Sequence, residues 1–362
     1  MEKLQNKLRK MPTNEIIDKT IFASVMDNGF WHRWIAHGVD ETFINSSKSK
    51  MVNVKGWTEI LSNKAMEHSN LAKGFEKSGD AQLAEYHYGK AGIYYNLAQW
   101  VFPEPNQDRL EWYNRCLEQF NLADNVSEDK VSRHTLTIEG KKYGGRIRIP
   151  KGEKLGVVIL VMPTDSTKEE FHLYEQDFAK EGYVVVSFDG TGQGETLLVN
   201  GHKADLESWE DFIKGIVEFA ASKFSDLPIN LFGTSSGGAW AIEGSRHPYV
   251  SKVVTVSPPP KYATNIKLPD YFRERMSNML VDFEKGHLPS FDDVSEIKDI
   301  VVFHGGKDLL INGKELVELY DQFSSEKRFI TYDEEGHCCN FKLGEIRHRS
   351  AEWFKGGDIY DI

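Results

Sequence analysis

An α/β architecture, with a mostly parallel sheet, helices on both faces and an all-helical N-terminal domain, is predicted for these 362 residues by three observations. From about Glu15 to Ala123, apolar and aromatic residues recur at helical spacings with little strand-like alternation. After Asn125, short apolar runs alternate with amphipathic helical patterns. One of those runs ends in Gly-x-Ser-x-Gly at Gly233 to Gly237, directly before an Ala/Gly-rich helical stretch.

In chain order, Trp57 to Trp100 reads as two antiparallel helices split at Ser78-Gly79-Asp80, where Gly ends one helix and Asp caps the next. No second copy at a fixed period accompanies this hairpin, so a repeat solenoid is not supported. Pro103 and Pro105 precede another helix around Arg109 to Leu122. Residues 133–139 and 145–149 alternate like exposed antiparallel strands. Buried strands are expected at Val157–Met162, Tyr183–Phe188, Ile229–Phe232, Val253–Val256, Ile300–Phe303 and Arg328–Tyr332, with helices over 168–181, 207–224, 236–247 and 313–323 between them. The chain thus divides into a helical domain (1–125) and an α/β domain (126–362), with 258–297, carrying one helix near Tyr271 to Phe283, as an insertion over a site.

Hydrophobic residues at 40% and charged residues at 27% predict an ordinary packed core. A net charge of −11 (44 basic against 55 acidic residues) disfavours nucleic acid or an anionic membrane as partner. The first residues lack the apolar stretch of a secretory signal, and the longest aliphatic run, Val157–Met162, is far short of the ~20 residues that span a bilayer. Three cysteines, Cys116, Cys338 and Cys339, cannot build a disulfide framework or a zinc-ligand spacing, so packed thiols and a cytoplasmic location are expected.

A serine held at a strand-to-helix turn is exposed for attack, and small neighbours allow the close backbone approach that turn needs. Ser235 is therefore the candidate nucleophile, and the Ser236 N–H at the start of the following helix is a candidate oxyanion donor. The base and orienting acid should follow on later loops: His337 after the strand ending at Tyr332, and Asp308 after the preceding strand. Asp333 and Glu335 are alternative acids, while His304 lies on the wrong loop to be the base. The second oxyanion donor should come from the loop after Val157–Met162, where Pro163 has no N–H and the Thr164 amide remains. Asp165 beside it is read equally as a catalytic carboxylate and as a helix cap, since Ser166 to Glu169 has the form of a capping box. Asp189 to Glu195 imitates a dinucleotide loop, but its glycines run G-x-G-x-G, so a tight turn beside the site is expected and no cofactor.

Together with Arg33-Trp34, Gly38-Val39-Asp40, Ala91 to Gln99, Asp165 to Glu170 and Phe188 to Glu195, these loops resemble the α/β-hydrolase superfamily. More narrowly, they look like its subfamily with a helical N-terminal domain, which includes fermentation-respiration switch proteins, dihydroxypseudooxynicotine hydrolase and polyketide-shortening hydrolases. The resemblance implies an α/β-hydrolase fold whose helical domain caps the catalytic mouth, with Trp34, Tyr94, Tyr95 and Trp100 as candidate substrate-binding residues, although aromatics at such spacing are more often ordinary core. Where that family has Gly-Gly-Leu, this chain has Met162-Pro163-Thr164, and Asp165 keeps the acidic position that assists carbon–carbon cleavage in some members.

The expected function is a cofactor-independent serine hydrolase cleaving a carbon–carbon bond in a β-diketone or polyketide-like aromatic small molecule, with ester hydrolysis or acyl transfer and cyclisation as alternatives on the same residues. A non-enzymatic binding scaffold is the remaining reading. A homodimer through the helical domain is compatible with the sequence, which marks no interface.

Overall fold

The computed structural model describes residues 11–261 and 269–359. Its first part is helical: α1 (Thr13–Met26), α2 (Gly29–Ala36), α3 (Glu41–Ser47), α4 (Val54–Ser78), α5 (Ala81–Trp100) and α6 (Gln107–Val126). The α4/α5 hairpin turns where expected. Gly79 takes the left-handed conformation (φ 81°) that ends α4, and the Asp80 side chain accepts the Leu83 N–H at 3.0 Å to start α5. From Tyr88 onward α5 is buried almost all round, because it lies between α4 and α6.

The rest alternates: β1 (Lys130–Ile138), β2 (Lys141–Ile149), β3 (Gly156–Val161), α7 (His172–Lys180), β4 (Tyr183–Phe188), α8 (Gly194–Leu198), α9 (Leu206–Lys223), β5 (Ile229–Thr234), α10 (Ser236–Gly244), β6 (Val250–Val256), α11 (Asp270–Met279), β7 (Asp299–Gly305), α12 (Gly313–Gln322), β8 (Lys327–Tyr332) and α13 (Leu343–Lys355). The strands form one sheet in the order β1-β2-β4-β3-β5-β6-β7-β8, parallel from β4 to β8 and antiparallel at β1/β2 and β2/β4. Period-two alternation sends Val157, Ile159 and Val161 into the core under α9, α10 and α12, and Val158, Leu160 and Met162 into the core under α7 and α13. The expected fold class is therefore present.

Two strands differ from expectation in burial. β2, read as exposed, is covered from Tyr143 to Arg148. Arg146 is paired with Asp124 of α6, and Arg148 with Glu85 of α5 at 2.7 Å, so the charges that suggested solvent are met by helices distant in sequence. β8, read as buried, is only half-buried because it forms the edge beyond β7.

The helical core is continuous with the rest of the molecule. Trp31, Trp34, Trp57, Tyr94 and Trp100 pack in one apolar cluster with Leu197 and Leu198 of α8 and Met279 of α11. This packing lays the helical region and α11 over the C-terminal ends of the central strands, where ligand crevices form in such sheets.

Candidate active site

Ser235 stands between β5 and α10 with φ 51° and ψ −127°, a conformation that turns its side chain out of the strand. A Cβ on Gly233 would meet the Gly237 carbonyl at 2.3 Å, and one on Gly237 would meet the Val161 carbonyl at 2.1 Å, so the turn requires glycine at both places. The Ser235 N–H donates to the Val256 carbonyl at 2.8 Å, anchoring the turn to β6.

His337 follows β8 and places Nε2 2.9 Å from Ser235 Oγ and Nδ1 2.9 Å from Asp308 Oδ2. Asp308 follows β7, and its other oxygen accepts the Leu310 and Ile311 N–H groups at 2.9 and 3.0 Å. Burial works to raise the Asp308 pKa; the His337 hydrogen bond and charge, with these two N–H groups, outweigh it and hold the carboxyl below the usual value. Of the alternative acids, Glu335 instead accepts the Phe341 N–H at 3.2 Å, and neither it nor Asp333 bonds His337. His304 lies beside this chain, its Nδ1 3.9 Å from Asp308 Oδ2. Burial lowers the His337 pKa, but the Cys338 sulfur and Asp308 carboxylate overcome that effect, so the imidazole is raised above the ordinary histidine value.

A cavity of about 230 Å³ opens over these groups. Its apolar wall includes Phe272, Met276 and Leu280 on and just after α11, with Phe171 and Tyr174 opposite; among the described residues no Asp or Glu lines it. Ser235, Ser236, Thr164 and His337 all reach it. The Thr164 N–H, expected as an oxyanion donor, is bonded to Ser236 Oγ at 2.7 Å.

Asp165 requires a correction. Its buried carboxylate does not line the cavity; Oδ2 accepts Trp100 Nε1 at 2.7 Å and Arg275 Nε at 3.0 Å, and Oδ1 accepts Arg275 Nη2 at 3.1 Å. Nor is it a cap: the short 3₁₀ turn Lys168–Phe171 begins at Thr167 with no side-chain cap bond, and the capping box read at Ser166 to Glu169 is not formed. The carboxylate instead ties the loop after β3 to α5 and α11.

The expected substrate-binding aromatics are a second correction. Trp34, Tyr94, Tyr95 and Trp100 are buried and absent from the cavity wall. Trp34 packs edge-on to Trp100, Tyr94 stacks on His68 and accepts the Asp40 N–H at 3.1 Å, and Tyr95 stacks on Trp112. Their helical spacing turns them into the helical core rather than toward the sheet. The Asp189 to Glu195 loop is a tight turn, as expected, and Asp189 is buried against Lys168, whose Nζ lies 2.9 Å from both Asp189 Oδ2 and Glu195 Oε2.

Arg275 and His287 had no place in the sequence reading, and Cys338, expected as a packed thiol, lines the cavity instead. Arg275 was detectable as a charge on the Phe272/Met276/Met279 stripe of α11; His287 lies in irregular chain and left no periodic signal. Cys116 and Cys339 are packed thiols, whereas Cys338 is half-buried. Among the described residues, no group of three or more His, Cys, Asp or Glu could hold a metal ion, and no helix is long and apolar enough to cross a membrane.

Residues 153–296 match the family model described as serine aminopeptidase, S33. The chain is 28% identical over 222 residues to the α/β hydrolase ucsC of Acremonium sp, covering 54% of this chain and 45% of that protein. It is 24% identical to the 2,6-dihydropseudooxynicotine hydrolase of Paenarthrobacter nicotinovorans, covering 59% and 58%. The chain spans about half the length of the curated relatives it matches. Among solved structures, a 2,6-dihydroxy-pseudo-oxynicotine hydrolase superposes with TM-score 0.76 at 21% identity, over 90% of this chain and 95% of that one. AbyA5 superposes with TM-score 0.63 at 18% identity, over 82% and 89%. These two likenesses are of fold.

Proposed function

We propose that this chain, similar to α/β hydrolases in sequence and in fold, is a cofactor-independent serine hydrolase cleaving a carbon–carbon bond of a β-diketone or polyketide-like small molecule. The observation that carries this is the continuous hydrogen-bonded chain Ser235 Oγ–His337–Asp308, both links at 2.9 Å, opening into an apolar cavity. Ser235 Oγ attacks the ketone carbon and passes its proton to His337 Nε2, while Asp308 fixes the imidazole and stabilises its charged form. As the carbon–carbon bond breaks, its electron pair moves onto the neighbouring carbon as an enolate, delocalised into the second carbonyl. His337 returns its proton to that carbon. Water, deprotonated by His337, then releases the acyl group from Ser235 as a carboxylic acid. The apolar wall fits a substrate with a hydrophobic body. Relatives named 20-hydroxy-prefusarin hydrolase, of Gibberella moniliformis, and 2,6-dihydropseudooxynicotine hydrolase support hydrolytic chemistry on a small molecule.

Ester hydrolysis on the same residues is the second reading, favoured by the engagement of Asp165 with Arg275 and Trp100, which leaves, among the described residues, no second carboxylic acid facing the cavity to protonate carbon. The deciding experiment compares wild type with Ser235→Ala on an aryl 1,3-diketone and its matched aryl ester, with products identified by mass. Serine-dependent cleavage of the diketone is expected; cleavage of the ester alone establishes the second reading. No turnover together with no labelling of Ser235 by an organophosphonate overturns both.

A further inference from the structure

Beside the nucleophile, three side chains form a second hydrogen-bonded chain that the proposed reaction does not use. Ser236 Oγ lies 2.7 Å from the Thr164 amide nitrogen and 2.7 Å from Thr164 Oγ1, and Thr164 Oγ1 lies 2.6 Å from His287 Nε2. All three residues line the same cavity as Ser235. His287 is held in place by Trp240 Nε1, which donates to its carbonyl at 3.0 Å. Burial lowers its pKa to about 4, so near neutral pH its ring carries a single proton.

The directions of these bonds are constrained. The Thr164 N–H can only donate, so Ser236 Oγ accepts it. With the His287 proton on Nε2, the Thr164 hydroxyl accepts from the ring and gives its own proton to Ser236 Oγ. Both acceptor sites of Ser236 Oγ are then filled, and its remaining O–H must point elsewhere. In the reverse direction both hydroxyls point toward His287. Negative charge growing on an oxygen above Ser235 selects the first direction, because every dipole in the chain then presents its positive end to that charge. The Thr164 amide is already committed to Ser236 and does not face that oxygen directly. The Ser236 N–H, at the first position of α10, is among those a helix leaves without an intrahelical acceptor.

We propose that the second oxyanion donor of this site is the Ser236 hydroxyl rather than the Thr164 amide, with Thr164 and His287 as positioning residues that orient it. Ser236 then grips the oxyanion with both its N–H and its O–H. This assignment rests on Ser235 being the nucleophile.

The test measures the rate at which an aryl alkylphosphonate ester phosphonylates Ser235, read by mass, because the phosphonyl oxygen occupies the oxyanion position. Ser236→Ala removes the hydroxyl and frees the Thr164 N–H. The rate is expected to fall by about 10- to 100-fold. Thr164→Val should lose about tenfold, Thr164→Ser should recover most of it, and His287→Gln, which retains a side-chain N–H donor, should exceed His287→Phe. Adding Thr164→Val to Ser236→Ala should cost nothing more, since both act through one donor. Circular dichroism confirms that each variant compared is folded. A Ser236→Ala rate equal to or above wild type overturns the proposal, because Ser236 would then only plug a hole served by the Thr164 amide. Additive losses in the double variant overturn the relay. Failure of wild-type Ser235 to react at all overturns the nucleophile assignment itself, a result distinct from these.

Discussion

Arg275 of α11 grips the carboxylate of Asp165 with two hydrogen bonds, at 3.0 and 3.1 Å, and both side chains are fully buried. The guanidinium also lies 4.0 Å from the Trp100 ring centroid, and Trp100 bonds the same carboxylate. The segment that roofs the cavity is thus fastened to the loop beside Ser235 through one ion pair. Removing one partner of such a pair leaves an uncompensated buried charge and costs about 3–5 kcal/mol. Asp165→Asn is accordingly expected to lower the melting temperature strongly, while kcat of the folded protein stays within about tenfold of wild type. Asp165→Asn combined with Arg275→Gln should recover part of the lost stability. A variant that melts like wild type but loses turnover by more than about a hundredfold would restore Asp165 as a catalytic acid.

The central strands β3 to β7 were legible because each is an apolar run bounded by turn residues, and the meeting of Ser235, Asp308 and His337 followed from loops placed after successive strands. The residues that escaped have partners contributed by distant parts of the chain. Arg146 looks like a solvent-facing residue until α6 brings Asp124 to it, and Asp165 looks like a cap or an acid until α11 delivers Arg275, 110 positions away. Helical spacing marked Trp34 and Tyr94 as apolar-face residues and offered both a core and a substrate-facing reading; the packing of the helical cluster decides for the core. α13 carries Leu343, Ile346, Trp353 and Phe354 as a helical stripe against the sheet, a packing signal with no chemistry-bearing motif beside it.

His172 makes stability depend on pH in a predictable direction. It is buried against Phe120, and burial, helped by the charge of Arg146, lowers its pKa from 6.5 to about 3. Between those values the unfolded chain takes up a proton that the folded protein refuses, so stability present above pH 6.5 is lost as pH falls. The slope from one such group is about 1.4 kcal/mol per pH unit. Urea midpoints measured from pH 7 to 5 should therefore decline, and His172→Gln should flatten that decline even if it lowers stability throughout. An unchanged slope in His172→Gln would mean that the ring is protonated in the folded state.

Cys338 gives the reaction its own pH signature. Its sulfur and the Asp308 carboxylate raise the His337 pKa against the opposing effect of burial, and the proposed attack by Ser235 needs His337 without its proton. Activity is therefore lost as pH falls through a value above the ordinary histidine range, and the acid limb of kcat/KM should lie higher than an unperturbed imidazole would place it. Cys338→Ala removes the first of the two raising influences and leaves the 2.9 Å bond to Asp308 intact. The acid limb should move to lower pH in that variant, so that its activity relative to wild type grows as the assay is made more acidic. The pH profile of Ser235 phosphonylation supplies the same readout without a known substrate. Coincident acid limbs in wild type and Cys338→Ala would show that the sulfur does not act on the imidazole and that Asp308 alone sets the proton affinity of His337.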